Sequence, residues 1–271
     1  MDVAEFLGLA RLDESTWSFE VVDRLITPGR FLYGGCGLAA GLVALERASA
    51  RPTIYGVAQY VAFAQPGETA TVSVDLAAVG QRVTQGRATI RVAEREVLTV
   101  VAALGAGTLQ AGAWVAMPAV APPEACPPRR FHSPMSGSVF EHLDVRVARG
   151  RTFDQLDGSP GSADSALWVR VPHHLDPSAG TLAIVGDLVS GGASQPMGRP
   201  VMGRSLDNTV RVATRATSEW ILCDVRMHAL VDGIGQGMAF LWSRDGVLLG
   251  TASQSMAARV VEPEPPRGGL V

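Results

Sequence analysis

The chain has 271 residues, of which 47% are hydrophobic and 18% are charged, a composition that supplies a full hydrophobic core and excludes a largely disordered protein. The net charge of −3 at pH 7 excludes the basic excess on which nucleic-acid binding depends. Three scattered cysteines are too few for a disulfide framework or a zinc site.

The N-terminal part of the chain predicts an α+β unit. A strand is expected at residues 17–22, followed by a turn at Pro28-Gly29. Residues 31–45 are almost entirely apolar, which is typical of a helix that is buried on most sides. The segments that then favour antiparallel strands are residues 56–64, 70–78, 87–93 and 97–104.

The middle of the chain predicts a linker. Residues 97–121 carry no charge and are long enough to cross a bilayer, but several glycines and Pro118 interrupt them. Further prolines across residues 105–134 favour an extended connection that cannot enter the interior of a sheet. Because the N-terminus also lacks a signal-peptide pattern, we expect a cytoplasmic protein without a membrane span.

The C-terminal part predicts a second α+β unit and a disordered tail. A helix at residues 180–190 carries Asp187, and Asp245-Gly246 predicts a hairpin turn. The expected strands are residues 166–171, 205–213, 220–229, 237–242 and 247–253.

An ungapped internal repeat relates the two units. Residues recur at a constant offset of 151, which predicts that one unit was duplicated and that its copies lie side by side. We therefore expect a first domain at residues 1–108, a linker at 109–134, a second domain at 135–262 and a tail at 263–271. The matching pairs are Trp17 and Trp168, Gly35 and Gly186, Val61-Ala62 and Val212-Ala213, Glu68 and Glu219, Val74 and Val225, Ala78 and Ala229, Gln85-Gly86 and Gln236-Gly237, Ala88 and Ala239, and Leu98 and Leu249.

Three aligned pairs break the symmetry of this repeat. In each, the second copy has a polar side chain suited to catalysis: Asp187 lies opposite Cys36, Ser205 opposite Ile54, and Gln254 opposite Ala103. Burial of Asp187 in an apolar segment would raise its pKa and suit a general base. A serine and a glutamine together can hold a water molecule. The asymmetry favours one active centre near the second copy, and the alternative is three polar residues that are each satisfied locally.

Other motifs favour neither a cofactor nor a metal. Residues 35–40 fit a G-x-G-x-x-A dinucleotide pattern, but Pro28-Gly29 interrupts the strand that this motif requires. The chain contains no G-x-S-x-G motif, and Cys36 has no histidine nearby in sequence. His173 and His174 would point to opposite faces of a strand, and His132, His142 and His228 are interpreted as ordinary polar residues.

The chain resembles the type II acyl-CoA thioesterases over about residues 5–105 and 165–260. Their fold is a double hotdog, in which each of two fused units wraps an antiparallel sheet around a long helix. The segments that carry the resemblance are Tyr33-Gly34-Gly35, Pro66-Gly67, Ser205-Leu206-Asp207, Asp245-Gly246-Val247-Leu248 and Ser253-Gln254. The segments that depart from the family pattern are Cys36, Ala78-Val79-Gly80 and Ser255-Met256.

The resemblance implies an acyl-CoA thioesterase without a cofactor, in which Asp187, Ser205 and Gln254 are catalytic. It also implies that Tyr33, Gly34 and Gly35 bind the substrate, with backbone N–H groups near the two glycines as donors to the oxyanion. We expect a homo-oligomer, either a dimer or a tetramer. The alternatives are an acyl-CoA hydratase or dehydratase, and an acyl-CoA-binding protein that performs no catalysis.

Overall fold

A computed structural model describes residues 2–109, 112–129, 137–171 and 177–261 of the chain. Its α-helices are α1 (Val3–Leu7), α2 (Gly34–Ser49), α3 (Ala179–Gly186) and α4 (Ser194–Met197). Its strands are β1 (Ala10–Arg11), β2 (Thr16–Glu20), β3 (Thr53–Tyr60), β4 (Thr69–Val79), β5 (Val83–Val92), β6 (Arg95–Gly105), β7 (Asp144–Arg149), β8 (Asp164–Arg170), β9 (Val201–Ser205), β10 (Asp207–Val212), β11 (Ile221–Val231), β12 (Ile234–Ser243) and β13 (Leu248–Val260).

The described strands form one antiparallel sheet. Its order is β1-β2-β4-β5-β6-β3-β10-β13-β12-β11-β8-β7, and β9 pairs with β13 outside this path. The order β2-β4-β5-β6-β3 in the first half therefore has the same plan as β8-β11-β12-β13-β10 in the second half. The two halves join edge to edge through β3 and β10. A large antiparallel sheet with few helices agrees with the predicted α+β class.

The helix α2 is buried on all sides, as its apolar sequence predicts. Every residue from Gly35 to Leu45 is buried, and the helix packs on the sheet and on α3. It begins at Gly34, three residues later than expected, because Leu32 pairs with Ile26 as an extended bridge. It ends at Ser49, because the next residue, Ala50, has a left-handed φ of 53° that stops the helix.

The predicted helix at residues 180–190 is α-helical only as far as Gly186. A 3-10 helix (Asp187–Ala193) follows, and then the short α4. Three glycines in this segment, Gly186, Gly191 and Gly192, weaken a continuous helix. A Cβ atom on Gly186 would lie 2.6 Å from the Cβ of Ala252, so glycine also allows the strand to approach closely. The change of helix type places Asp187 at the break.

The predicted strand at residues 205–213 is divided at Leu206 into β9 and β10. The Asp207 carboxylate accepts a hydrogen bond from the Ser255 backbone N–H at 2.7 Å. The Leu206 N–H in turn donates to the Ser255 carbonyl oxygen. Because the Asp207 side chain accepts from the Ser255 N–H, this backbone donor of β13 cannot pair with a neighbouring strand. The hydrogen-bond ladder is interrupted there, and the chain bends beside Asp187.

Several elements of the structure have no counterpart in the sequence predictions. They are α1, α4, β1 and β7; α1 is capped by Asp2, which forms a capping box with Glu5. In the described part of the predicted linker, a 3-10 helix spans Pro123–Ala125 and Pro128 forms a bridge with Arg146. Among the described helices, none is long and apolar enough to cross a membrane. The predicted tail at 263–271, His132 and His173-His174 lie outside the described residues.

Candidate active site

The carboxylate of Asp187 lies at the centre of a buried hydrogen-bond network. Its Oδ1 atom accepts hydrogen bonds from Ser205 Oγ and Asn208 Nδ2, both at 3.3 Å, and from Gln254 Nε2. Its Oδ2 atom accepts one from the backbone N–H of Gly35 at 2.8 Å. Gln254 Nε2 also contacts Ser205 Oγ at 2.7 Å. The structure thus brings together the three side chains that the repeat singled out.

Five elements, four from the second half of the chain and one from the first, position this network. Asp187 follows the last residue of α3, Ser205 ends β9, Asn208 lies on β10 and Gln254 lies on β13. The remaining donor, Gly35, belongs to the first turn of α2. The N-terminal turn of a helix presents backbone N–H groups that lack partners within the helix, and these favour a negative charge. The first half of the chain therefore stabilises a carboxylate that the second half supplies.

The environment of Asp187 adjusts its basicity. Burial raises its pKa from 3.8 to about 6, and hydrogen bonds from Gly35, Gln254, Ser205 and Asn208 oppose this increase. Desolvation disfavours the carboxylate, while the four donors stabilise it. At neutral pH the group is therefore largely ionised, yet more basic than an ordinary aspartate. This is the state that a general base requires.

A largely apolar cavity of about 490 Å³ opens beside the network. Asp187 and Ser205 lie in its wall, together with Arg204. Most of the remaining wall is aliphatic or aromatic, which suits a hydrophobic chain whose reactive group lies beside Asp187. The apolar side chains of the wall include Phe31, Leu32, Phe63, Val97, Leu98, Phe140, Phe153 and Leu206.

The three residues expected to bind the substrate do not all line the cavity. Tyr33 and Gly34 line the cavity, whereas Gly35 is absent from its described lining. The Tyr33 hydroxyl donates to the carbonyl oxygen of Ile184 at 3.1 Å and so links the two helices. The N–H of Gly35, expected to face an oxyanion, donates to Asp187 instead.

Gly34 and Gly35 are required where elements approach closely. A Cβ atom on Gly35 would lie 2.7 Å from the carbonyl oxygen of Ala183 and 2.8 Å from the Cα atom of Ile184. Both distances are shorter than van der Waals contact, so only glycine allows α2 to approach α3 this closely. A Cβ atom on Gly34 would lie 2.9 Å from the Tyr60 hydroxyl. The two glycines thus bring the helix N-terminus to the carboxylate.

Two further residues at this site were missed by the sequence analysis. Asn208 donates to Asp187, and Tyr60 lines the cavity beside Gly34. The repeat contained a signal for Asn208, because the same offset places it opposite the apolar Val57. No comparable signal existed for Tyr60, whose counterpart Arg211 is also polar.

The residues that the structure describes offer neither an activated cysteine nor a metal centre. Cys36 is buried, and burial together with the Asp187 charge raises the pKa of its thiol well above the usual range. A protonated, inaccessible thiol is a poor nucleophile. His228 is exposed on β11, and His142 ends a 3-10 helix. In the described parts of the chain, no group of three or more histidine, cysteine, aspartate or glutamate residues is arranged to bind a metal.

Comparison with protein families gives one match. A model of the acyl-CoA thioesterase C-terminal domain matches residues 123–258, which is half of the chain. A comparison with curated protein sequences gives no match.

Solved structures similar to this chain cover almost its whole length. A protein of Novosphingobium aromaticivorans that is proposed to be a thioesterase is 28% identical, with a TM-score of 0.82 over 94% of this chain and 98% of the other. A tesB protein of Mycobacterium avium subspecies paratuberculosis is 17% identical, with a TM-score of 0.78 over 95% and 98%. A hot dog fold protein of Alicyclobacillus acidocaldarius is 19% identical, with a TM-score of 0.80 over 96% and 98%. This chain accordingly has a hotdog fold.

Proposed function

The chain belongs to the type II acyl-CoA thioesterase family, and from this membership we propose that it hydrolyses acyl-CoA to a free fatty acid and CoA. The observation that carries the proposal is the buried Asp187 carboxylate, held by Ser205, Gln254 and two further donors in the wall of an apolar cavity. We include in the proposal a cytoplasmic location, a homo-oligomer and a reaction that needs no cofactor.

We propose that the fold is a double hotdog, with units at residues 1–108 and 135–262 joined by a linker at 109–134. The pairing of the two halves supports this. Val57 pairs with Thr209, and Ala58 pairs with Asn208. The offset of 151 makes Asn208 the counterpart of Val57 and Thr209 the counterpart of Ala58. Exchanging the two units therefore converts one of these pairs into the other, as a twofold relation between duplicated units requires. The hairpins also share a register, since Val74 pairs with Ala88 and Val225 with Ala239.

In the proposed mechanism, water attacks the thioester carbonyl carbon. Asp187 takes a proton from the water as a new C–O bond forms. The C–S bond then breaks, and the proton passes from Asp187 to the sulphur of the departing CoA. The Oδ2 atom is the better candidate for the acceptor, because Oδ1 already accepts from three side chains. Ser205 lines the cavity, and Gln254 Nε2 contacts Ser205 Oγ, so that the two side chains can orient the water.

Thiol release distinguishes this proposal from its alternatives. A hydratase or dehydratase would require an Asp–His pair at the substrate, and the described cavity wall contains Asp187 without a histidine. The experiment is to incubate the protein with acyl-CoA substrates of increasing chain length and to measure free thiol. We expect release from at least one chain length. A protein that binds acyl-CoA but releases no thiol, or that adds water without releasing thiol, would refute the proposed hydrolysis.

We expect kcat/KM to increase with pH through about 6 and to level off above it. The pKa of Asp187 is raised to about 6, so the proton-accepting carboxylate is lost as the pH falls below that value. The measurement is a pH profile of thioester hydrolysis at low substrate concentration, with the fold monitored by circular dichroism at each pH. A profile that stays flat down to the range of an ordinary aspartate would contradict the assignment of Asp187 as a base.

Ser205→Ala and Gln254→Ala are each expected to lower kcat by roughly 10- to 100-fold, because a hydrogen bond to a charged group is worth about 1.5–3 kcal/mol. Since both side chains bind the same carboxylate, the double variant should lose less than the product of the two single losses. Ser253→Ala is the matched control, because adjacent residues of a strand point to opposite faces. Fully multiplicative losses would show that the two residues act independently.

A further inference from the structure

Hydrolysis of a thioester requires a hydrogen-bond donor for the carbonyl oxygen, which gains negative charge in the transition state. The first turn of α2 is the expected source, but the N–H of Gly35 already donates to Asp187 Oδ2 at 2.8 Å. That donor stabilises the general base, so a further donor at the site would have to serve the developing oxyanion.

The side chain of Tyr60 lies beside Asp187 in the wall of the cavity. Tyr60 ends β3, the strand that joins the first half of the sheet to the second, and its side chain lines the cavity. Its hydroxyl oxygen would lie 2.9 Å from a Cβ atom on Gly34, and Asp187 Oδ2 would lie 3.0 Å from the same point. The phenol oxygen and the carboxylate of the general base therefore lie on the same side of Gly34 and approach it closely, and both residues line the cavity.

The chemical state of Tyr60 suits a donor. Its hydroxyl oxygen is buried and has no partner at good hydrogen-bond geometry among the described residues, although the Asn208 side chain lies close enough to interact with it. Burial and the nearby Asp187 charge raise its pKa well above the usual range, while the Asn208 side chain acts in the opposite direction. The phenol therefore keeps its proton at neutral pH. A carbonyl oxygen that accepts a hydrogen bond from this phenol would satisfy a buried donor that otherwise lacks a well-placed partner.

We propose that Tyr60 is a catalytic residue that donates a hydrogen bond from its hydroxyl to the thioester carbonyl oxygen while Asp187 activates the attacking water. The inference rests on the proposed thioesterase function and adds to it a residue from the first half of the chain. Tyr60 keeps its proton throughout the reaction. The proton of the water passes to Asp187 and then to the sulphur of CoA, so that the phenol acts only by stabilising charge.

The first test is Tyr60→Phe, which removes the hydroxyl and keeps the ring. Loss of one oxyanion donor is expected to lower kcat by about 10²- to 10³-fold, with a much smaller change in KM. Tyr55→Phe is the matched control, because it makes the same substitution on the same strand outside the described cavity wall, and it should keep the wild-type kcat. A folded Tyr60→Phe variant with wild-type kcat would overturn the proposal.

The second test observes the hydrogen bond directly. The probe is an acyl-CoA analogue in which a methylene group replaces the thioester sulphur, so that it keeps the carbonyl but cannot be hydrolysed. Its C=O stretching frequency should fall on binding to the wild-type protein, and the shift should be absent in Tyr60→Phe and retained in Tyr55→Phe. An equal shift in both variants would assign the donor elsewhere.

A third measurement covers the case in which Tyr60→Phe does not fold. Replacement of Tyr60 by 3-fluorotyrosine keeps the hydroxyl and nearly the same shape but makes the phenol a stronger donor, so the C=O frequency of the bound analogue should fall further. An unchanged frequency would overturn the role of Tyr60. If the wild-type protein releases no thiol from any acyl-CoA, the thioesterase function itself fails, and with it the reaction that Tyr60 would serve.

Discussion

An Asp187→Asn variant is expected to lose about 10²-fold or more in kcat, because positioned general bases contribute 10²- to 10⁴-fold. Asparagine has nearly the same shape as aspartate, but its amide cannot accept a proton at neutral pH. The side chain at this position also has donors on both of its oxygens, with Gly35 on Oδ2 and three side chains on Oδ1. The amide nitrogen would therefore face at least one donor, and the network that orients the water would be weakened as well.

The matched control for this variant is Cys36→Ala, at the position that corresponds to Asp187 in the first half of the chain. Cys36 is buried and its raised pKa keeps the thiol protonated, so turnover per folded molecule should hardly change. Single-turnover and steady-state rates of thiol release would be compared for both variants, after their fold has been verified by circular dichroism. Normal turnover in Asp187→Asn would remove this residue from the mechanism. Loss of turnover in Cys36→Ala, together with an acylated Cys36 in the wild type, would replace the water mechanism by a nucleophilic cysteine.

A Gly35→Ala variant is expected to be less stable by about 1–3 kcal/mol, the usual cost of overpacking a close contact. The new methyl group would lie 2.7 Å from the Ala183 carbonyl oxygen and 2.8 Å from Ile184 Cα. Both are backbone atoms and cannot rotate away, so α2 and α3 must separate. That movement draws the Gly35 N–H away from Asp187 Oδ2. We therefore also expect kcat to fall by roughly tenfold or more, as the loss of a charge-assisted hydrogen bond implies.

Gly107→Ala is the matched control for the glycine substitution, because a Cβ atom at that position has no neighbouring atom within 4 Å. Urea unfolding gives the free energy of unfolding for both variants, and thiol release gives their kcat. The kcat of Gly35→Ala should be measured well below its unfolding midpoint, so that it reports only folded molecules. A Gly35→Ala variant that unfolds at the wild-type urea concentration would contradict the close packing of the helices. If its stability falls while its kcat stays normal, the Gly35 hydrogen bond is not needed for catalysis.

The two halves of the chain contribute different parts of one site. The second half supplies Asp187, Ser205 and Gln254, whereas the first supplies the Gly35 N–H, the cavity wall at Gly34 and the phenol of Tyr60. In the first half, the positions that correspond to Asp187 and Gln254 hold Cys36 and Ala103, which offer no buried carboxylate. We infer that duplication placed a helix N-terminus next to a carboxylate and that one centre follows from the asymmetry between the halves.

Local patterns allowed the main elements to be predicted from the sequence, although their boundaries differ from those observed. The uniformly apolar composition of residues 31–45 predicted a buried helix, and α2 is that helix. The predicted turn at Asp245-Gly246 is present, with a left-handed φ angle of 80° at Gly246, and Pro66-Gly67, a segment that carries the family resemblance, also forms a turn, with a φ of 84° at Gly67. Such features depend on the side chains and backbone preferences of adjacent residues, which a sequence displays directly.

The sequence by itself determined the α+β plan, the internal repeat and the three polar positions that distinguish its second copy, because periodicity, turn chemistry and a constant offset are properties of the order of residues. Only the tertiary structure decided that Asp187 lies at the end of α3, that the Gly35 N–H is committed to its carboxylate, and that Asn208 and Tyr60 belong to the site. Each of these facts depends on contacts between residues far apart in the chain. The close approach of α2 to α3 and the pairing of β3 with β10 create those contacts, and neither is encoded in any local pattern.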